Sequence, residues 1–82
     1  MIKVLFFAGL REQLGCDALD VDTADIASIA ELRSRLAGKD AAWQSALASE
    51  QLQVAVNQQL ANMHADVKDG DEVAFFPPVT GG

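Results

Sequence analysis

The sequence predicts an α+β domain in which one main helix packs across one face of a mixed sheet. Three observations predict it. Short runs of β-branched and aromatic residues alternate in and out with a period of two. One stretch in the first half has helical spacing and a full set of end signals. The elements follow the order strand, strand, helix, strand, short strand, strand.

The first strand is read from Ile2 to Ala8, with Ile2, Val4 and Phe6 on one face and Lys3, Leu5 and Phe7 on the other. Gly9 ends it. Leu10–Leu14 makes one helical turn, with Gly15 as its C-terminal stop. A second strand spans Ala18 to Thr23, Leu19 and Val21 facing inward. The main helix starts at Ser28, which with Glu31 has the spacing of a capping box. Ile29, Leu32 and Leu36 then share a face, and Gly38 supplies the end. A shorter helix covers Ala41–Ala48, with Trp43 and Leu47 one turn apart. Leu52, Val54 and Val56 mark a third strand, Asn57-Gln58-Gln59 a polar turn, and Leu60–Met63 a short fourth strand. Asp69-Gly70 is a tight-turn pair. The final strand, Glu72–Phe76, is stopped by Pro77-Pro78.

The ubiquitin-like β-grasp is the compact arrangement that fits this order. With 82 residues the chain is one domain, read as a β-grasp body over 1–78 and a projecting tail over 79–82. Half of the residues are hydrophobic and 22% are charged, a globular composition. The net charge of −6 repels phosphate backbones and anionic membranes, so nucleic acid and membrane are excluded as expected partners. One cysteine, Cys16, forbids an internal disulfide framework. The opening apolar run is too short to span a bilayer and lacks the features of a secretory signal. The expected location is the cytoplasm.

No catalytic constellation is visible. His64, the only histidine, falls in a polar loop and reads as solvated. Cys16 has neither cationic neighbours nor CxxC spacing. Asp17, Asp20, Asp22 and Asp25 lack the central glycine and closing glutamate of a calcium loop, and turn chemistry accounts for Asp69-Gly70. No metal site is expected.

The informative stretch is Phe75-Phe76-Pro77-Pro78-Val79-Thr80-Gly81-Gly82. The prolines stop ladder pairing and hold the exit extended. Val79 and Thr80 favour extended backbone. Gly81 and Gly82 leave the last carboxylate free of side chains, so a narrow channel could admit it. An α-carboxylate, ionised at neutral pH, can attack the α-phosphate of ATP and give an acyl adenylate. If Lys3 and Glu72 mark outward faces, Phe7 and Phe76 are exposed on neighbouring strands, and Leu60 extends the patch. Grouped exposed apolar residues beside such a tail form a docking surface.

The run from Asp69 to Gly82 closely resembles the C-terminal signature of the molybdopterin synthase small subunit family. Lys3-Val4-Leu5-Phe6-Phe7-Ala8 with Arg11-Glu12, and Ala55-Val56-Asn57-Gln58, are similar to its first strand and turn and its central strand end. The resemblance implies a β-grasp fold and a cycle carried by the C-terminus. A ubiquitin-activating-like adenylyltransferase would use ATP to adenylate Gly82, and a sulfur donor would convert the adenylate to a thiocarboxylate. The tail would enter the synthase large subunit, in a heterotetramer, and give sulfur to cyclic pyranopterin monophosphate. Gly82 carries the chemistry and Gly81 gives it access. Phe7, Leu60, Phe76, Pro77, Pro78, Val79 and Thr80 are the expected partner contacts, and no cofactor is bound by the chain itself. Gly9 and the segment from Gly38 to Gln51 carry no role in this resemblance. Two other readings remain: a sulfur carrier for thiamine or another thiolation pathway, and a β-grasp interaction module whose end stays unmodified.

Overall fold

In the computed structural model, which describes residues 1–77, five strands and three helices alternate around a single sheet. The strands are β1 (Ile2–Phe6), β2 (Ala18–Val21), β3 (Gln53–Val56), β4 (Gln59–Ala61) and β5 (Glu72–Phe76). The helices are α1 (Gly9–Leu14), α2 (Ile29–Ala37) and α3 (Ala41–Leu47). The sheet order is β2-β1-β5-β3-β4. β5 thus lies at the centre, parallel to β1 with Phe6 opposite Phe75, and antiparallel to β3 with Val54 opposite Phe75. This is the expected α+β arrangement, with α3 as a second helix beside α2.

Alternation does what the sequence requires of it. Ile2, Val4 and Phe6 are buried, as are Val54, Val73 and Phe75, and together they meet Ile29, Leu32 and Leu36 of α2 in one core. Phe6 is the hub: its ring stacks on Phe75 at 6.2 Å and meets Trp43 of α3 edge-on at 5.4 Å. The Ser28 hydroxyl accepts the Glu31 N–H at 3.3 Å, as a capping box demands. The return bond is displaced by one residue, because Glu31 Oε1 accepts from the N–H of Ala27. Asp40 caps α3 by accepting from Trp43 N–H at 3.0 Å. At the other end of α3, the Arg33 guanidinium donates to the carbonyls of Leu47 (2.6 Å) and Ser49 (2.8 Å), fixing the orphan acceptors of the helix end.

Element ends differ from the sequence reading where the backbone turns. β1 stops at Phe6, before Ala8, because Ala8 has φ 54°. β2 stops at Val21 and β3 starts at Gln53, one residue after buried Leu52. β4 covers Gln59–Ala61 and not Leu60–Met63, since Asn57 and Gln58 both adopt positive φ and close the hairpin in two residues. Gly38 does end α2, but in a right-handed conformation.

The turn that leads into β5 is fixed by side chains. The Asp71 carboxylate accepts from Lys68 N–H at 2.9 Å and Asn57 Nδ2 at 3.1 Å, while Glu72 N–H donates to Asn57 Oδ1 at 3.0 Å. The Lys68 backbone bond, then Asn57, hold the Asp71 carboxyl below its ordinary 3.8. Asp69 is lowered likewise by the N-terminal amine and then Thr23. A pKa depressed by folding contributes stability above the unfolded value and loses it as pH falls through the folded one. Asp71→Ala is therefore expected to lower stability at neutral pH by about 1 kcal/mol, the scale of a solvent-accessible hydrogen bond. The difference from wild type should shrink as pH falls below 3.8. Thermal melts of both proteins across the acid range check this, and a deficit that stays constant with pH would remove the carboxylate from the account.

Candidate functional site

The sheet has one face covered by helices and one open face. Residues that alternate away from the core meet in rows across the open face. One row runs Ala18, Leu5, Ala74, Ala55, Leu60, each opposite the next in the ladder. All five are apolar, and four of the five have short side chains or lie half-buried or deeper, so the row forms a low floor that rises at Leu60, which is 75% exposed. Nearer the start of the strands lies a polar row, with Lys3 opposite both Asp20 and Glu72, an arrangement of alternating charge that suits neighbouring strands. At the other end, where β1 and β5 finish together, stand Phe7 and Phe76.

Phe7 is 47% exposed and Phe76 is half-buried, so the expected exposure holds fully for the first ring and partly for the second. The Phe7 N–H donates to the Phe75 carbonyl at 3.2 Å, which continues the parallel ladder and sets Phe7 beside Phe76. Pro77 follows, half-buried. The structure thus brings Phe7, Phe76 and Pro77 to one pole. Leu60 is farther, on the edge strand, joined to them by the floor of Leu5, Ala74 and Ala55. The remaining expected site residues, Pro78, Val79, Thr80, Gly81 and Gly82, lie outside the described residues.

The backbone at this pole is strained. Ala8 has φ 54° and ψ −131°, the first central position of a II′-type turn, where glycine is the usual occupant. Leu10 N–H closes the turn onto the Phe7 carbonyl at 3.2 Å. Such a conformation costs about 1–3 kcal/mol in a residue with a Cβ. Its effect is to turn the chain from β1 into α1 directly behind Phe7.

The expected patch did not include Leu5, Ala55 and Ala74, which the strand order sets in one row with Leu60. Alternation assigns Leu5 and Ala74 to the open face, but alanine carries no burial preference strong enough to mark a surface, and only the strand order places these residues in one row. The other titratable candidates stay apart. Cys16 is half-buried with its Sγ donating to the Ala18 carbonyl at 3.3 Å, and His64 is exposed. Among the described residues no group of three or more His, Cys, Asp or Glu is placed to hold a metal, and no helix is long and apolar enough to cross a membrane.

Comparison with known proteins agrees with this geometry. The ThiS family model matches residues 4–82. The molybdopterin synthase sulfur carrier subunit of Escherichia coli (strain K12) is 51% identical over 82 residues, covering all of both chains. Its counterpart in Haemophilus influenzae is 49% identical, again over the whole of both. Among solved structures, SAMP1 from Haloferax volcanii superposes with a TM-score of 0.80 at 28% identity, covering 99% of this chain and 98% of that one. A chain of the complex of subunits 1 and 2 of the molybdopterin-converting factor from Helicobacter pylori 26695 is similar at a TM-score of 0.68 and 28% identity, covering 99% of this chain and 97% of that one. A β-grasp sheet with an apolar row across its open face, a C-terminal Gly-Gly and full-length relatives of this kind lead to one conclusion: the chain belongs to the ThiS family, among relatives of the molybdopterin synthase sulfur carrier subunit.

Proposed function

We propose that this chain is the sulfur carrier subunit of a molybdopterin synthase. The observation that carries the reading is the placement of β5 at the sheet centre, which brings the chain past Phe7 and Phe76 to Pro77, in a sequence that continues to Gly81-Gly82. The full-length relatives support it.

In this cycle the Gly82 carboxylate attacks the α-phosphate of ATP on a separate ubiquitin-activating-like enzyme, forming the acyl adenylate and releasing pyrophosphate. The chain has no GxxxxGK[ST] loop of its own, so ATP binding belongs to that enzyme. A sulfur donor then displaces AMP, and Gly82 ends as a thiocarboxylate, anionic and with sulfur as its softer nucleophilic atom. The open face, with Phe7, Phe76 and Leu60 standing above the alanine floor, docks the large subunit of the heterotetramer. Docking brings the tail to cyclic pyranopterin monophosphate. Because Gly81 and Gly82 have no side chains, the sulfur can approach a buried carbon closely. The carrier itself binds no cofactor in this scheme.

Reconstitution tests it. The thiocarboxylated chain, mixed with the large subunit and cyclic pyranopterin monophosphate, should yield molybdopterin and return the carboxylate form. A chain that accepts sulfur but does not bind the large subunit would instead be a carrier for another thiolation pathway. A chain that never accepts sulfur would be an interaction module.

Cys16 is not the acceptor. Its thiol is held against the Ala18 carbonyl at the start of β2, with β1 between it and β5. Cys16→Ser is expected to carry and deliver sulfur as wild type does, read by intact-mass spectrometry and product formation. Loss of transfer in a folded Cys16→Ser chain would move the sulfur from the carboxyl to the thiol.

A further inference from the structure

The hairpin between β3 and β4 closes through two residues of positive φ, Asn57 at 51° and Gln58 at 70°. It carries Leu60, 75% exposed and the outermost residue of the apolar row. Leu60 stands on an edge strand of three residues whose ladder partner is β3. Its side chain is too exposed for packing to fix it, so its height and angle above the floor follow from the backbone of β4.

That backbone is anchored through Asn57. The Asn57 N–H donates to the Glu72 carbonyl at 2.7 Å, and the Glu72 N–H donates back to Asn57 Oδ1 at 3.0 Å. Asn57 Nδ2 donates to the Asp71 carboxylate at 3.1 Å, which the Lys68 N–H steadies at 2.9 Å. The regular β3–β5 ladder ends at Val56 opposite Val73. At φ 51° the chain has left strand geometry. The side-chain amide of Asn57 then supplies the acceptor that a further strand residue would have supplied through its carbonyl. We propose that Asn57 is a positioning residue of the carrier: by clamping the hairpin to the start of β5, it sets Leu60 at the height where the synthase large subunit meets it together with Phe7 and Phe76. The inference rests on the proposed function and deepens it by naming what holds the docking surface in shape.

The clamp asks for asparagine. Glycine accepts positive φ but has no side chain. Aspartate tolerates the turn but has no N–H to donate, and its charge would face the Asp71 carboxylate. Asparagine combines tolerance of the left-handed region with a donor and an acceptor on one short side chain.

The strand order explains why the docking surface needs such a joint. Leu60 lies on β4, with β3 between it and Phe76 on β5. A short edge strand is the part of a sheet freest to shift or splay, yet the patch must present all its members to one partner at once. Groups fixed before binding lose little entropy on contact. The clamp sits at the joint between the edge hairpin and the central strand that carries Phe76.

The alternative is that these bonds only stabilise the fold, and binding energies tell the two apart. Asn57→Gly keeps the turn and deletes the clamp, and Asp71→Ala removes one arm of it from the other side. Each is made in the full chain, alone and combined with Leu60→Ala or Phe7→Ala, and circular dichroism checks folding. By titration calorimetry Asn57→Gly is expected to bind the large subunit about fivefold more weakly than wild type, the scale of one interface side chain. Leu60→Ala should weaken the wild-type chain similarly yet add nothing beside Asn57→Gly, whereas Phe7→Ala should cost the same in both backgrounds. A double-mutant cycle isolates that selective coupling, which a loss of stability does not produce. If Asn57→Gly is unfolded, the same cycle is read on Asp71→Ala, with the coupling in the same direction and smaller. If the folded variant binds as wild type does, or if the Leu60→Ala loss persists undiminished beside it, Asn57 only supports the fold and the proposal fails. It fails equally if Leu60→Ala leaves wild-type binding unchanged, since nothing is then positioned. A wild-type chain that does not bind the large subunit at all overturns the proposed function and this inference with it, a result read before any variant is made.

Discussion

A chain lacking Gly81 and Gly82 is expected to fold and melt as wild type does and to accept no sulfur at all. Every core residue in the described chain lies at or before Phe75, and the last described strand ends at Phe76. The two glycines add no side chains to that core, so their removal leaves its packing as it is. The chemistry fails for a different reason. The truncated chain still ends in a carboxylate, now on Thr80, but that carboxylate is two residues short and has a β-branched side chain on the Cα beside the reacting carbon. Reaching the adenylation site requires length, and close approach requires a bare backbone. Intact-mass spectrometry after incubation with the activating enzyme, ATP and a sulfur donor should show wild type heavier by one sulfur minus one oxygen. Fragmentation should place the gain on Gly82. The truncated chain should show no such species. A large fall in melting temperature on truncation would instead make the end part of the fold, and persistent sulfur loading would move the acceptor elsewhere.

Neighbouring phenylalanines on β5 are expected to give opposite phenotypes. Phe75 is fully buried, stacked on Phe6 and flanked by Val54 across the ladder. Phe75→Ala removes a ring from the centre of a small core and costs about 3–5 kcal/mol. Against a total of roughly 5–15 kcal/mol for a domain, the melting temperature should fall by roughly 15 °C or more. Phe76 points to the open face, beside Phe7. Phe76→Asp should leave the protein folded and weaken large-subunit binding by about 2 kcal/mol, close to thirtyfold. Circular dichroism and calorimetry on the two variants separate the cases. A folded Phe75→Ala chain with normal stability, or an unfolded Phe76→Asp chain, would reverse the assignment of faces.

The faces of this sheet were legible because alternation is a strict signal. Ile2, Val4 and Phe6 can turn inward only together, and the Glu72–Phe76 strand is bounded by a tight turn on one side and proline on the other. The main helix was equally plain, since Ser28, Glu31 and the Ile29, Leu32, Leu36 stripe agree with one another. Ala8 was not legible. Glycine is the residue that marks a positive-φ turn, and Gly9 stands one position too late, so the sequence places the bend beyond the strand and extends β1 by two residues. Gln58 misleads in the same way, adopting φ 70° without being glycine or asparagine. The clamp at Asn57 was invisible for a topological reason. Its partners Asp71 and Glu72 lie at the entry to β5, and nothing in the Asn57-Gln58-Gln59 turn signals that they will face it. Even Trp43 reads from sequence only as a helical core residue, whereas its edge-on contact with Phe6 ties α3 to the strand that flanks the exit.

The central position of β5 also bears on how the protein is made. β1 is synthesised well before β5, yet β5 is the strand it pairs with at the sheet centre, with Lys3 opposite Glu72. Until β5 is delivered, the β1–β2 hairpin and the β3–β4 hairpin have no strand to join them, and the Phe6 ring lacks its partner Phe75. Such non-local pairing delays folding until β5 has been made. A nascent chain broken off before β5 leaves two open hairpins with exposed inner edges, a form that quality control removes. On the proposed function the cell gains a safeguard from topology alone: the strand that completes the fold is the one that precedes the sulfur-bearing end, and a folded carrier does not arise from translation halted before β5.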